Sequence, residues 1–215
     1  MQSLILAIQF LTRIPTPQVR NFSPALLAGS ARWFPLVGLL LGGLLAGVAW
    51  AAAQVDPWLA AWVAMLVWVA ITGGLHLDGL ADVADALGAA HRDRERLLAV
   101  MKDPHLGSFG VLTLIVTLAG KLVLLMLLAR GGHWLALVLI PAWARLGPLF
   151  WQTLPSLSPG YGEQFGWQLP RRARWIWLLL LLAFSAWMQP LFLLAPLAIW
   201  LFRRWLQKAL GGMNG

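Results

Sequence analysis

The sequence contains no cysteine, which excludes disulfides and thiol chemistry. It is also poor in acid, with eight Asp and Glu against sixteen Lys and Arg in 215 residues. Charged residues make up 11% of the chain, where an ordinary soluble domain carries about a quarter. Apolar residues take their place. They form 60% of the chain, and they come in long blocks rather than at amphipathic spacing. Such blocks read as membrane spans. The opening "MQSLILAIQFLTRIPTP" lacks a basic leading segment, and its apolar part is short and ends in Arg13 and Pro15. It reads as an interfacial or partly buried helix rather than a secretory signal. No repeat, linker or second domain is evident. The expectation is one all-α domain over 1–215, a polytopic integral membrane bundle in contact with the lipid bilayer.

The apolar blocks predict about six spans, near 33–53, 57–75, 108–129, 134–151, 175–188 and 191–205. The last two are short for a bilayer that needs about 20 residues per helix. They read as a hairpin bent at Gln189-Pro190 or as one broken helix. Charge decides between them. With the N-terminus inside, Arg13, Arg20, Arg32, Arg92, Arg94, Arg96, Lys102, Arg171, Arg172, Arg174, Arg203, Arg204 and Lys208 all fall in cytoplasmic segments. Only Arg130 lies in an outer loop, and Lys121 and Arg145 fall inside spans. One long final helix would put Arg203, Arg204 and Lys208 outside, so the positive-inside rule favours the hairpin. The formal charge of +8 therefore marks a membrane face, not a nucleic-acid surface. Two cytoplasmic loops result, 76–107 and 152–174.

Six of the eight acidic residues lie in the first of these loops: Asp78, Asp82, Asp85, Asp93, Glu95 and Asp103. The first three are spaced i, i+4, i+7. On a helix they fall within roughly 60° of one another. Three like charges on one face destabilise a helix unless a cation sits among them. Oxygen-only ligands suit a hard ion such as Mg²⁺, which commonly bridges carboxylates and substrate phosphates. A solvated acidic helix is the plain alternative, but this face sits at the lip of a span in a chain that spends little acid elsewhere. The alternating charges of "HRDRERL", 91–97, read as a solvated turn.

In "MKDPHLGSFG", 101–110, a Lys precedes glycines and a helix start. That arrangement suits phosphate, although a helix stop and membrane entry would use the same residues. His76 and His105 are candidate bases. Arg145 in "PAWARLGPLF" lies at membrane depth, where a guanidinium faces a protein interior or a polar cavity. Lys121 reads as snorkelling or internally paired.

These segments together resemble one family. "GGLHLDGLADVADALGA" is similar to the H-x-D-G-L-A-D-x-x-D signature of the cobalamin synthases, the adenosylcobinamide-GDP ribazoletransferases. "FLTRIPTP" at 10–17, "WFPLVGLLLG" at 33–42, "MKDPHLGSFG" and the Arg145 segment resemble family blocks in the same order, so the resemblance covers essentially the whole chain. It implies an inner-membrane, Mg²⁺-dependent enzyme at the end of vitamin B12 assembly. The reaction implied joins adenosylcobinamide-GDP to α-ribazole or α-ribazole 5′-phosphate and releases GMP. His76, Asp78, Asp82 and Asp85 fall in the acidic motif, Lys102, Asp103, Gly107 and Gly110 in the next block, and Arg13 in the first. The family pattern is expected to run on past a Gly-Gly-x-x-Gly turn into a Gly-Asp segment. Here "LGGMNG" stands last, so the sequence reads as truncated at the C-terminus or as a member that lacks that segment, and any ligand supplied there is missing.

Phosphoryl transfer is mostly positioning and charge neutralisation. Asp78, Asp82 and Asp85 are the expected metal ligands, with Asp85 the expected base for the ribazole hydroxyl. Lys102, with Arg13 and Arg145, is expected to stabilise the leaving group. A CDP-alcohol phosphotransferase is a competing reading, but its D-G-x-x-A-R pattern fails here, where Asp82 follows Ala81. A cation transporter would want carboxylates near mid-membrane, whereas these lie at a span end.

Overall fold

The computed structural model describes residues 1–19, 22–90, 93–151, 154–155 and 171–211. Among them there are helices and turns and no strand. Ten α-helices follow in order: α1 Gln2–Leu11, α2 Pro24–Ser30, α3 Phe34–Ala53, α4 Pro57–Thr72, α5 Leu75–Ala90, α6 Arg94–Val100, α7 Ser108–Arg130, α8 Trp134–Trp151, α9 Arg171–Met188 and α10 Ala195–Ala209. Short 3₁₀ turns join α2 to α3 (Ala31–Trp33) and precede α10 (Pro190–Leu194).

Local chemistry sets the ends. Ser23 accepts from the Leu26 N–H and Pro24 opens α2, as N-cap and first-turn preferences require. Asp56 accepts from the N–H groups of Trp58 and Leu59, with Pro57 following. At its other end α4 stops on Gly73 and Gly74, with φ of 64° and 71°, a left-handed region that glycine enters without strain. The chain then turns by 85° into α5.

The central seam is α3 against α8, the most extensive helix pair. A Cβ at Gly38 would overlap the backbone of Pro141 and Ala142, and one at Gly42 that of Leu137 and Val138. Small residues let two backbones approach this closely where lipid gives no hydrophobic drive to packing. Phe34, Val37, Leu139, Leu146 and Leu149 are buried beside the seam, and α1 adds Leu6 and Leu11. The partly buried N-terminal helix is thus as anticipated. Ala49, Ala60, Ala129 and Leu137 share a second cluster, so the α3–α4 and α7–α8 turns lie at one end of the bundle.

Among the described residues three helical stretches are long and apolar enough to cross a membrane: Pro24–Ala53, Ser108–Arg130 and Trp134–Trp151, with the bent pair α4–α5 as a fourth if it counts as one span. That is fewer than the six expected. The second block ends three residues early, because Gly73 stops it. The last two fall short because α9 opens on Arg171, Arg172 and Arg174 and α10 has only 15 residues. Their hairpin is real. Trp143 Nε1 donates to Ser185 Oγ at 3.0 Å and Phe150 meets Trp175 edge-on, so α9 runs antiparallel to α8. The Trp151 indole then donates to the Ile199 carbonyl at 3.1 Å, and Leu206 and Leu210 return to Ala86, Ala90 and Leu97. Most of the second expected loop, 152–174, lies outside the described residues, as do Arg20 and Arg92.

Candidate active site

The site begins at the corner between α4 and α5. Arg13 donates its backbone N–H to the Ile71 carbonyl at 2.6 Å, and its side chain lies over Gly73, where a Cβ would collide with it. The first sequence block is thereby fixed to the start of the acidic helix. From there α5 packs on α7 and presents Asp78, Asp82 and Asp85 within one sector. Asp78 is exposed, Asp82 intermediate and Asp85 buried. Because α5 turns away from α4, we treat it as lying outside the spans. Partial burial, then the like charges of Asp78 and Asp85, raise the Asp82 carboxyl above its ordinary pKa. The three carboxylates feel one another, as the helical spacing requires.

Asp85 does something the spacing did not reveal. Its Oδ2 accepts from the Gly107 N–H and its Oδ1 from the Gly110 N–H, both at 2.8 Å. Gly107 is the N-cap of α7 and offers no side chain of its own. A carboxylate from another helix therefore satisfies two of the amides that every helix N-terminus leaves open, and its charge suits the helix dipole. A Cβ at either glycine would strike the Asp85 carboxylate. Gly107 and Gly110, read as a phosphate-binding opening, serve in this structure to admit Asp85. With both oxygens engaged and the side chain buried, Asp85 ties α5 to the start of α7 in this structure.

The remaining candidates divide. Asp103 is exposed and binds His105, accepting the backbone N–H at 3.0 Å and meeting ring Nδ1 at 2.6 Å. These bonds hold its carboxyl below the usual value. Lys102 is exposed just past the end of α6. Asp93 caps α6 by accepting from the N–H groups of Glu95 and Arg96, which agrees with a solvated turn. His76 stands on the first turn of α5, exposed at the surface and within the field of Arg145 and Lys121. Arg145 is buried in α8 and donates to the Pro141 carbonyl at 3.3 Å. Among the described residues no three His, Asp or Glu side chains converge as a ready-made metal cluster. Asp78 and Asp82 are the hard oxygen donors left open. They fit an ion such as Mg²⁺ that keeps several waters and takes one or two protein carboxylates plus phosphate.

The chain matches the family model for cobalamin-5-phosphate synthase over residues 3–215. The chain belongs to the cobalamin-5-phosphate synthase family. It is 60% identical to an adenosylcobinamide-GDP ribazoletransferase of Laribacter hongkongensis, an alignment that takes in all of this chain and 89% of that protein. Identity is 49% to the ribazoletransferase of Thiobacillus denitrificans, covering the whole chain and 87% of the relative. It is 48% to that of Novosphingobium aromaticivorans, covering the whole chain and 89% of the relative. No solved structure matches. As a cobalamin-5-phosphate synthase family member, the protein is a transferase of cobalamin biosynthesis and a membrane protein. Membership also sets aside the CDP-alcohol phosphotransferase and transporter readings. Two features of the site had no usable sequence signal: the Asp85 bond to α7, and the stacking of Lys121 Nζ on Trp68 at 4.0 Å from the ring centroid. Both join residues far apart in the chain.

Proposed function

We propose that the protein joins adenosylcobinamide-GDP to α-ribazole, or to α-ribazole 5′-phosphate, and releases GMP, with Mg²⁺, at the cytoplasmic face of a bacterial inner membrane. The observation that carries this reading is the full-length similarity to proteins named adenosylcobinamide-GDP ribazoletransferase. The carboxylate face of α5 is its chemical counterpart.

In the reaction a ribazole hydroxyl oxygen bonds to the phosphorus on the cobinamide side of the diphosphate. The bond from that phosphorus to the bridging oxygen breaks, and GMP leaves with the oxygen. Asp78 and Asp82 would hold Mg²⁺, which when bound neutralises diphosphate charge and orients its oxygens. A carboxylate of this face that the ion leaves free would take the hydroxyl proton. Asp85 fixes α5 against α7 so that the open carboxylates keep their place. Arg13, held at the α4–α5 corner, and Lys102 face the charge that builds on the departing GMP.

The orientation has its own support. Arg13, Arg94, Lys102, Arg174, Arg203 and Lys208 belong to the end of the bundle that carries α5 and α6, while Arg130 follows the opposite turn region. Positive charge of this kind marks the cytoplasmic side. The test of function is GMP release from adenosylcobinamide-GDP by purified protein. Release that requires both α-ribazole and Mg²⁺ is expected, and release independent of α-ribazole would refute the transfer. For orientation, a cysteine at exposed Glu95 can be labelled in sealed cells, since the chain has no other. Labelling from the periplasm would reverse the assignment.

A further inference from the structure

An open apolar cleft lies between α8, α9 and α10. It measures about 190 Å³ and is lined by Phe150 of α8, Leu178 of α9, and Pro196, Ile199, Trp200 and Arg203 of α10. The four α10 residues follow i, i+3, i+4, i+7, one stripe of a helix, so the cleft runs along α10 for about 10 Å. The Trp151 indole, bonded to the Ile199 carbonyl at 3.1 Å, holds α10 against α8 there. Leu179, Leu197 and Leu201, next to lining residues in sequence, are exposed. The cleft is graded along its length. Pro196 stands at the apolar end, and Arg203 at the end nearer the turns that pack on α5 and α6. Both aromatic walls carry a further guanidinium. Arg174 lies 5.7 Å from the Phe150 ring centroid, and Arg204 5.5 Å from that of Trp200. The Arg174 Nε is buried and makes no hydrogen bond among the described residues. The sequences of α8, α9 and α10 contain no Asp or Glu.

An apolar groove that ends among arginines has the polarity of a phospholipid. The guanidinium fork matches phosphate oxygens, and basic pockets between membrane helices take anionic headgroups. A soluble anion would leave the apolar length of the cleft unused, and a neutral chain would leave the arginines unused. We propose that this cleft binds one anionic phospholipid of the bilayer. An acyl chain lies along the α10 stripe, and the phosphate meets Arg203 and Arg174, with Arg204 beside it. A lipid seated there bridges α9 and α10. It also steadies the last turns of α10, where Leu206 and Leu210 pack on Ala86, Ala90 and Leu97 of α5 and α6. The site lies on α8, α9 and α10 alone, so it does not rest on the transferase reading.

The test uses the full chain, purified in detergent and stripped of phospholipid. Dioleoyl-phosphatidylglycerol is titrated in mixed micelles while thermal unfolding is followed by tryptophan fluorescence. Two probes run beside it: dioleoyl-phosphatidylcholine, with the same chains and no net charge, and glycerol phosphate, with the phosphate and no chains. A saturable rise in Tm is expected with phosphatidylglycerol, a weaker one with phosphatidylcholine and none with glycerol phosphate. The double variant Arg174→Gln/Arg203→Gln should need at least about tenfold more phosphatidylglycerol for half-saturation, the loss of charge-assisted contacts. Arg130→Gln, at the opposite end of the bundle, should titrate like wild type. Leu178→Trp fills the cleft without touching a charge and should weaken the response by a similar factor, which keeps the test decisive if the double variant misfolds. Equal half-saturation of wild type and these cleft variants would overturn the site. A response to glycerol phosphate as strong as that to phosphatidylglycerol, or equal responses to the two lipids, would overturn the assignment of an anionic phospholipid.

Discussion

Two pairs of glycines do opposite work in this molecule. Gly38 and Gly42 sit in the seam between α3 and α8, where each faces backbone of the neighbouring helix. Gly107 and Gly110 sit at the start of α7, where each faces a carboxylate. In both places the missing side chain permits a close approach. In the first, what approaches is the backbone of a neighbouring helix, and the gain is dispersion over a long contact. In the second, what approaches is Asp85, and the gain is two charge-assisted hydrogen bonds that align an acidic helix. The seam builds the bundle, and the junction aims the site. Damage to the seam should therefore appear as loss of the protein, and damage at the junction as loss of precision within a protein that still folds.

The largest expected effect is on the seam. Gly42→Leu forces a branched side chain into the α8 backbone, beyond the ordinary overpacking cost of about 1–3 kcal/mol. It should abolish recovery of monodisperse protein on size exclusion. Normal recovery would deny the seam its structural role. Next comes the open part of the acidic face. Asp78→Asn or Asp82→Asn should lower transferase turnover on the order of 100-fold or more and remove any Mg²⁺-induced rise in Tm. Thermal stability without metal should hold or improve, since a like-charge repulsion is relieved. A fall in Tm without metal would mean that these carboxylates are structural.

Asp85→Asn sharpens the comparison from the junction side. An amide has one acceptor oxygen, so one of the Gly107 and Gly110 N–H groups loses its partner, at a cost of about 1–3 kcal/mol. Lower Tm, with Mg²⁺ still bound, is the expected pattern. Loss of Mg²⁺ binding at unchanged Tm would return Asp85 to the metal. The smallest effect concerns Asp103. Its carboxyl is held below the ordinary value of 3.8 by hydrogen bonds from His105. A depressed carboxylate contributes stability above its unfolded pKa and loses it as pH falls through the folded one. His105→Ala should therefore leave Tm at neutral pH slightly lower and converge with wild type below the folded pKa. Parallel curves throughout would remove the pair from the account.

Much of this was legible along the chain. Apolar blocks marked α3, α7 and α8 almost to the residue, because a helix in lipid closes its own backbone hydrogen bonds and needs only a long enough apolar run. The i, i+4, i+7 spacing placed three carboxylates on one face before any coordinate did, and basic residues marked one end of the bundle. What spacing does not encode is where a face points. Asp78, Asp82 and Asp85 look equivalent in sequence, yet only Asp85 meets the start of α7, twenty-two residues on, and accepts its backbone N–H groups. The same holds for Gly73 and Gly74, which end α4 as a span end would and also turn the chain by 85° into α5. Likewise Lys121, isolated in sequence, meets the Trp68 ring only when α4 and α7 pack. Local rules determined the helices and the charges they carry. Packing between helices, which depends on contacts across long separations, decided which charge is caged, which is open and which lacks a counter-charge.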